Sequence, residues 1–326
     1  MNKVLVTGAT GFLGFNLAKR LKTIGYNVIG LGRDKRKGKI LEENNINFAC
    51  VDLSDLENLQ KIFSEVDYVF HCAAKSSLWG DFKSFYKTNV EGTKNIADLC
   101  LRNNVKRLIY VSSPSIYFEF KNKLNIKETE PFSKHPANNY IKTKIMAEKI
   151  IDNAFKSGLD VITIRPRGIF GSGDNSILPR LLKANKEKFI PKTRKEDILI
   201  DITHVDNVVE AMILAMEADK KYSGEKYNIT NDENIYLYKT LEYVITQNGM
   251  KFNTKYLPYN FMLFIITIME YIHKFILNKE PVFTRYSLGL LSFNQTLDIM
   301  KAKNDLGYKP VISMEEGLKR CLNDRI

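Results

Sequence analysis

The chain is poor in the residues that staple or metallate small folds. Only four cysteines and four histidines occur among 326 residues. Cys50, Cys72, Cys100 and Cys321 show no paired metal-ligand spacing, which argues against a disulfide scaffold or a zinc module. Reduced thiols in the cytoplasm and no metal are the expectation. His71 and His204 belong to no spaced ligand set and read as hydrogen-bonded structural histidines. Low-complexity segments and repeats of about 20–50 residues are missing, so neither a disordered chain nor a solenoid is expected. The first apolar strand begins at Asn2 or Lys3, which leaves no room for a targeting peptide.

Long hydrophobic runs are scarce as well. In the most apolar segment, Leu257 to Leu277, the longest stretch without a charge or a histidine is the 13 residues from Leu257 to Met269. A membrane span needs roughly 18 or more, so no transmembrane segment is expected. The segment reads as an ordinary buried helix, a helix lining a lipid-like pocket, or a helix lying against a membrane surface, which leaves peripheral membrane contact open. Tyr259, Phe261 and Phe264 within it read either as plain core or as part of a greasy pocket. The net charge of +12 comes mostly from lysine spread along the chain. With no concentrated basic helix or basic-aromatic stripe, a nucleic-acid partner is not expected.

What is present starts at once. Val4-Leu5-Val6-Thr7-Gly8-Ala9-Thr10-Gly11-Phe12-Leu13-Gly14 is an apolar strand running into three glycines spaced by three. The first glycine permits a tight strand-to-helix turn, the second lets backbone approach phosphate, and the third allows helix to pack closely on strand. Free helix N–H groups then face an anion, so a dinucleotide is the expected ligand.

Leu13, Leu17, Leu21 and Ile24 recur at helical spacing until Gly25, and Val28 to Leu31 forms the next apolar run. Further runs at Phe48–Val51, Val66–Phe70, Leu108–Val111 and Val161–Ile164 alternate with helical stretches near residues 60, 95 and 147. The alternation predicts an α/β protein with a doubly wound parallel sheet. Residues 1–166 are expected to form the dinucleotide-binding domain, 199–230 to return to it, and 167–326 to form a smaller mixed α/β substrate-binding part.

Tyr140 and Lys144 lie four apart on one face of a predicted helix. With 16 tyrosines and 37 lysines, chance alone gives roughly two such pairs, so context must decide. Of the three that occur, Tyr222/Lys226 encloses a Ser-Gly turn and Tyr117/Lys121 lacks helical apolar spacing. Tyr140/Lys144 follows Ser113 by 27 residues, and Ser113 stands at the carboxyl end of a predicted strand, where α/β sheets bind ligands. A ketone receiving hydride develops alkoxide character and needs a proton donor beside it. A nearby ammonium at Lys144 is expected to lower the pKa of Tyr140, while Ser113 holds the substrate oxygen.

With His71-Cys72-Ala73-Ala74 and Asn89-Val90-Glu91-Gly92-Thr93 in the same order, the chain resembles an extended short-chain dehydrogenase/reductase with a Rossmann-type domain. The broader group is the NAD-dependent epimerase/dehydratase family. Ala73-Ala74-Lys75, Trp79-Gly80, Arg165 to Asp174, Asp201 to Asn207 and the tail from Glu280 resemble the 3β-hydroxysteroid dehydrogenase branch, most closely bacterial 2-alkyl-3-oxoalkanoate reductases. The resemblance implies Ser113, Tyr140 and Lys144 as catalytic, Asn89 as structural support, and a homodimer built from helices near residues 85–103 and 138–156. Taken alone, Asn89 reads as a helix cap. Nucleotide-sugar epimerases and dehydratases usually carry an asparagine where this chain has Arg167-Gly168, which weakens that alternative. A cofactor-binding regulatory protein without turnover is a second alternative.

The second strand ends in Gly32-Arg33 rather than an acidic residue. Arg33, backed by Lys35, Arg36 and Lys37, suits a 2′-phosphate, so NADP is preferred, with NAD possible through Asp34. The expected cofactor contacts are Gly8, Thr10, Gly11, Phe12, Leu13, Gly14, Arg33, Asp52, Leu53, Ala73, Ala74, Lys75, Asn89, Tyr140, Lys144 and Pro166. Trp79, Ser115 and Arg167 are expected towards a lipid-like substrate, a 3-oxoalkanoate or 3β-hydroxysteroid-like alcohol.

Overall fold

The computed structural model describes residues 2–174, 178–277 and 279–323. Seven parallel strands form its main sheet: β1 (Lys3–Thr7), β2 (Asn27–Gly32), β3 (Asn47–Cys50), β4 (Tyr68–His71), β5 (Arg107–Val111), β6 (Val161–Pro166) and β7 (Lys226–Ile229). Their spatial order is β3-β2-β1-β4-β5-β6-β7. Successive residues of a strand point to opposite faces, and both faces are covered, so the central strands are mostly apolar on both faces. Val4 and Val6 pack with Leu17, Leu21, Val208 and Met212 on one side, while Leu5 packs with Ile96, Ala147 and Ile151 on the other.

The chain crosses from one side of the sheet to the other where β1 is flanked by β2 and β4, which opens a crevice beyond their carboxyl ends. The turn after β1 is tightly built. Gly8 has φ +70°, and a Cβ there would sit 2.8 Å from Ala73 backbone; one on Gly14 would sit 2.3 Å from the Gly8 carbonyl oxygen. The helix Phe12–Thr23 that follows has Gly11 as its N-cap, with no side chain satisfying its first N–H groups.

The later part of the chain adds a four-stranded sheet of Lys123–Ile126, Leu199–Ile200, Ile235–Tyr236 and Gln295–Leu297. Its core joins Ile190, Ile198 and Ile200 to Leu241 and Ile245.

The segment Tyr259–Leu277 departs from the buried helix considered above. It is one helix of 19 residues with a mean hydropathy of 1.5, long and apolar enough to cross a membrane by length and composition alone, yet only 11% of its most apolar window is buried. Phe261 and Phe264 are exposed rather than core. The sequence count stopped at Met269 because Glu270 follows. In the fold Glu270 is turned to Arg285, at 2.7 Å, and does not interrupt the helix.

Candidate active site

Beyond the ends of β1, β2 and β4 lies a cleft of about 240 Å³. Gly8, Thr10, Gly11, Arg33, Asp52, Leu53, Ala73 and Ala74 line it as expected, joined by Gly32, Lys87 and Thr88, which the sequence did not single out. Gly32 leaves room for Thr10, whose Oγ1 lies 2.6 Å from where a Cβ would be. A backbone cradle that any Cβ would fill, facing unsatisfied helix N–H groups, fits a dinucleotide pyrophosphate. Phe12, Leu13 and Gly14 open the helix behind the cradle. Pro166 sits at the carboxyl end of β6, paired with Ile229, and is not among the residues that line this cleft.

At the rim Arg33, largely exposed, reaches the half-buried Asp52 at 3.4 Å. Hydrogen bonds from Ser54 hold the Asp52 carboxyl below its usual range, helped by Arg33 and Lys87. Asp34 instead caps the helix Lys35–Glu43, accepting from the Arg36 and Lys37 N–H groups, so its carboxylate is already engaged.

Asn89 is not a cap. It lies inside a π-helical stretch, Tyr86–Glu91, and clamps the loop after β4. Its Oδ1 accepts from Lys75 N–H at 2.7 Å, and its amide donates to the Lys75 carbonyl at 3.1 Å and to Thr143 Oγ1 at 3.0 Å. Lys75 also donates through Nζ to Ser84 Oγ at 2.6 Å. Lys75 and Asn89 thus join the cofactor turn to the helix Asn139–Lys156, which carries Tyr140 and Lys144.

Ser113, at the end of β5, shares a hydrogen bond with Tyr140 and lies 2.9 Å from Ser115, Oγ to Oγ. Burial pushes the Tyr140 phenol up, and the bond with Ser113 pulls it partly back. The expected lowering by Lys144 is absent from its environment. Lys144 directs its ammonium elsewhere: Nζ donates to Tyr110 Oη and to the Val111 carbonyl, each at 2.7 Å. Burial pushes Lys144 down to about 7, against the pull of Glu148 one turn along the helix.

Glu148 and Arg165 form an ion pair buried beneath that lysine, at 0% and 1% side-chain exposure. Burial alone would raise the Glu148 carboxyl, but Arg165, Ser112 and Lys226 outweigh it and the net shift is downward. Tyr110, Glu148 and Arg165 were not singled out as site residues. A buried tyrosine hydroxyl in a strand needs a partner, and that was the available signal for Tyr110.

The surroundings of Tyr140 include a residue from far along the chain. Tyr286, in the helix Arg285–Leu290, packs in one cluster with Phe118, Ile141, Leu78 and Tyr140, and shares a hydrogen bond with Ser115. Leu78 reaches this cluster, whereas its neighbour Trp79 does not. Burial holds Tyr286 up at about 12, although the nearby Arg167 guanidinium opposes it. Arg167 is 9% exposed, and burial lowers its pKa against the pull of Tyr286 and Asp201. His71 bonds Thr7 and Thr93, and His204 caps the helix Val205–Glu217, so both are structural as expected.

The pattern of the NAD-dependent epimerase/dehydratase family matches residues 4–230, which run through all seven strands of the sheet. The chain belongs to this family. Within the epimerase/dehydratase family it is 32% identical, over 98% of its length and 85% of the relative's, to 2-alkyl-3-oxoalkanoate reductase of Shewanella oneidensis. It is 30% identical, over 98% of its length and 90% of the relative's, to the decarboxylating sterol-4-alpha-carboxylate 3-dehydrogenase of Mus musculus. UDP-glucuronic acid 4-epimerase from Bacillus cereus, solved with NAD, shares the fold at a TM-score of 0.76 and 22% identity, over 99% of this chain and 96% of that one. The resemblance to the 3β-hydroxysteroid dehydrogenase branch is thereby borne out, and the protein is an oxidoreductase of an NAD-dependent family.

Proposed function

We propose that the protein interconverts a ketone and a secondary alcohol on a lipid-like carboxylic acid, with the oxygen β to the carboxyl group. The carrying observation is the convergence of Tyr140, Ser113, Ser115, Tyr286 and Arg167 in one cluster just after β5, the strand beside β4, whose following turn lines the dinucleotide cleft. Bound in that cleft, NAD(P)H supplies the hydride. Tyr140 donates its phenolic proton to the substrate oxygen as alkoxide character develops, and Ser113 orients that oxygen. Lys144, fixed by Tyr110 and Val111, keeps a third N–H to direct towards the cleft.

Arg167 supports the acid substrate. It is a buried cation near neutral Tyr286 and near Asp201, whose two oxygens already accept from Asn234 and the Leu297 N–H, and a substrate carboxylate would answer its charge further. The names of the two relatives share this chemistry, since a 3-oxoalkanoate and a 3-hydroxysterol-4-carboxylate both place a carboxyl β to the reacting carbon. The engaged Asp34 and the free face of Arg33 favour NADP over NAD. The side-by-side packing of helices Gly92–Arg102 and Asn139–Lys156 fits the proposed homodimer, and four cysteines without paired spacing fit a cytoplasmic location.

The test is loss of NADPH absorbance with a 2-alkyl-3-oxoalkanoic acid, run beside NADH, Tyr140→Phe and Arg167→Leu. Turnover that Tyr140→Phe abolishes, and a KM for the acid that rises in Arg167→Leu while that for the matched ketone does not, are expected. Bound NADPH without turnover of the acid would overturn the substrate reading and bring nucleotide sugars forward.

A further inference from the structure

Along the helix Tyr259–Leu277 the apolar surface faces outward. Met262 and Ile266 are its buried residues, and they pack against Leu288 of the helix Arg285–Leu290. Phe261, Phe264, Ile268, Tyr271, Phe275 and Ile276 are exposed, with Phe264 at 65%, Phe275 at 63% and Ile276 at 75%. The steps of three or four residues from Phe261 to Phe275 put these on one stripe, roughly 21 Å long at the helical rise, with Ile276 beside its end. Single exposed apolar residues are ordinary, but a stripe carrying four aromatic rings marks an interaction surface.

The rim of the stripe is basic. Lys251, Lys255, Lys274 and Lys279 are exposed, and the stretch 251–285 carries five lysines and arginines against two glutamates. One of these, Glu270, is held by Arg285. A second copy docking through this stripe would set lysine rim against lysine rim. An anionic lipid surface complements both the aromatic stripe and the lysines.

We propose that this helix docks in the plane of an anionic bilayer, its outer face among the headgroups and upper acyl chains. The anchorage of Met262 and Ile266 on Leu288 keeps it on the protein rather than across the membrane. The six-residue helix that holds it also carries Tyr286 into the cluster with Tyr140, so one short element joins the docking surface to the substrate end of the cleft.

Vesicle co-sedimentation of the full chain tests this without any turnover assay, so it stands or falls separately from the substrate reading. Vesicles of phosphatidylcholine with phosphatidylglycerol are compared with phosphatidylcholine alone, at low and high salt. Binding at least about tenfold tighter to the anionic vesicles, and weakened by salt, is expected. Phe264→Ser/Phe275→Ser and Lys255→Glu/Lys274→Glu should each weaken it about tenfold or more with an unchanged melting temperature. Wild-type protein left in the supernatant, or an aromatic variant bound as well as wild type, overturns the proposal. So does a dimer in sedimentation that the aromatic variant dissolves, which would assign the stripe to a second copy.

Discussion

The catalytic corner and the helix Tyr259–Leu277 depart from the ordinary rule of burial in opposite directions. Around Lys144 the fold buries groups that water would solvate: an ammonium, a carboxylate, a guanidinium and two tyrosine hydroxyls. Each is tolerated because a partner stands within hydrogen-bond distance. On the helix, aromatic and aliphatic side chains that could have made a core are left outside, with contacts such as Tyr271 against Phe275 made along the helix itself. In both places local stability is given up, which the proposed chemistry on one side and the proposed docking on the other would account for. Substitutions should therefore behave oppositely in the two regions, with large stability effects at the corner and almost none on the stripe.

The largest effect is expected at Glu148. Glu148→Ala leaves Arg165 buried without its carboxylate and should lower unfolding stability by about 3–5 kcal/mol in denaturant titration. A loss below 1 kcal/mol would mean that water reaches Arg165. Tyr140→Phe separates chemistry from folding. It should cut kcat by about a hundred- to ten-thousandfold while the melting temperature hardly moves.

Lys144 sharpens the contrast through pH. Its folded pKa, about 7, lies below the ordinary lysine value of 10.5. The burial penalty on its ammonium is therefore fully present below about 7 and relieved as pH climbs towards 10.5, so stability should rise over that window. Activity that needs the ammonium should fall over the same window. Lys144→Met should flatten the stability rise, and an unchanged slope in the variant would remove this lysine from the account.

Tyr110→Phe deletes one of two acceptors for the Lys144 ammonium, at a cost of about 1–3 kcal/mol. Because that acceptor favours the charged form, the alkaline limb of kcat/KM should move to lower pH. A merely structural tyrosine would leave the limb in place. The smallest effect belongs to the stripe: Phe264→Ser should change stability by no more than about 0.5 kcal/mol in solution. A larger loss would make the helix part of the core after all.

Much of this was legible beforehand where the signal is local. The runs Val28–Leu31, Leu108–Val111 and Val161–Ile164 fall within β2, β5 and β6, because a strand buried on both faces must be apolar along its length. The glycine cradle and the Ser113, Tyr140 and Lys144 set were legible because backbone conformation and helical spacing constrain neighbours in sequence. What Lys144 touches was not legible. A tyrosine 34 residues earlier and the Glu148–Arg165 pair meet it only because β5, β6 and the helix Asn139–Lys156 pack together. The same holds for Tyr286, 146 residues beyond Tyr140 in the chain and in contact with it in the fold.

The sequence by itself determined the parallel sheet, the dinucleotide cradle and the shared helix face of Tyr140 and Lys144, since each rests on spacing within one turn or one strand. Tertiary structure alone decided that Lys144 answers to Tyr110 rather than Tyr140, that Tyr286 joins the cluster of Tyr140, and that the most apolar helix lies outside the core. Long-range packing sets burial, and burial sets both the charge state of a lysine and the exposure of a phenylalanine.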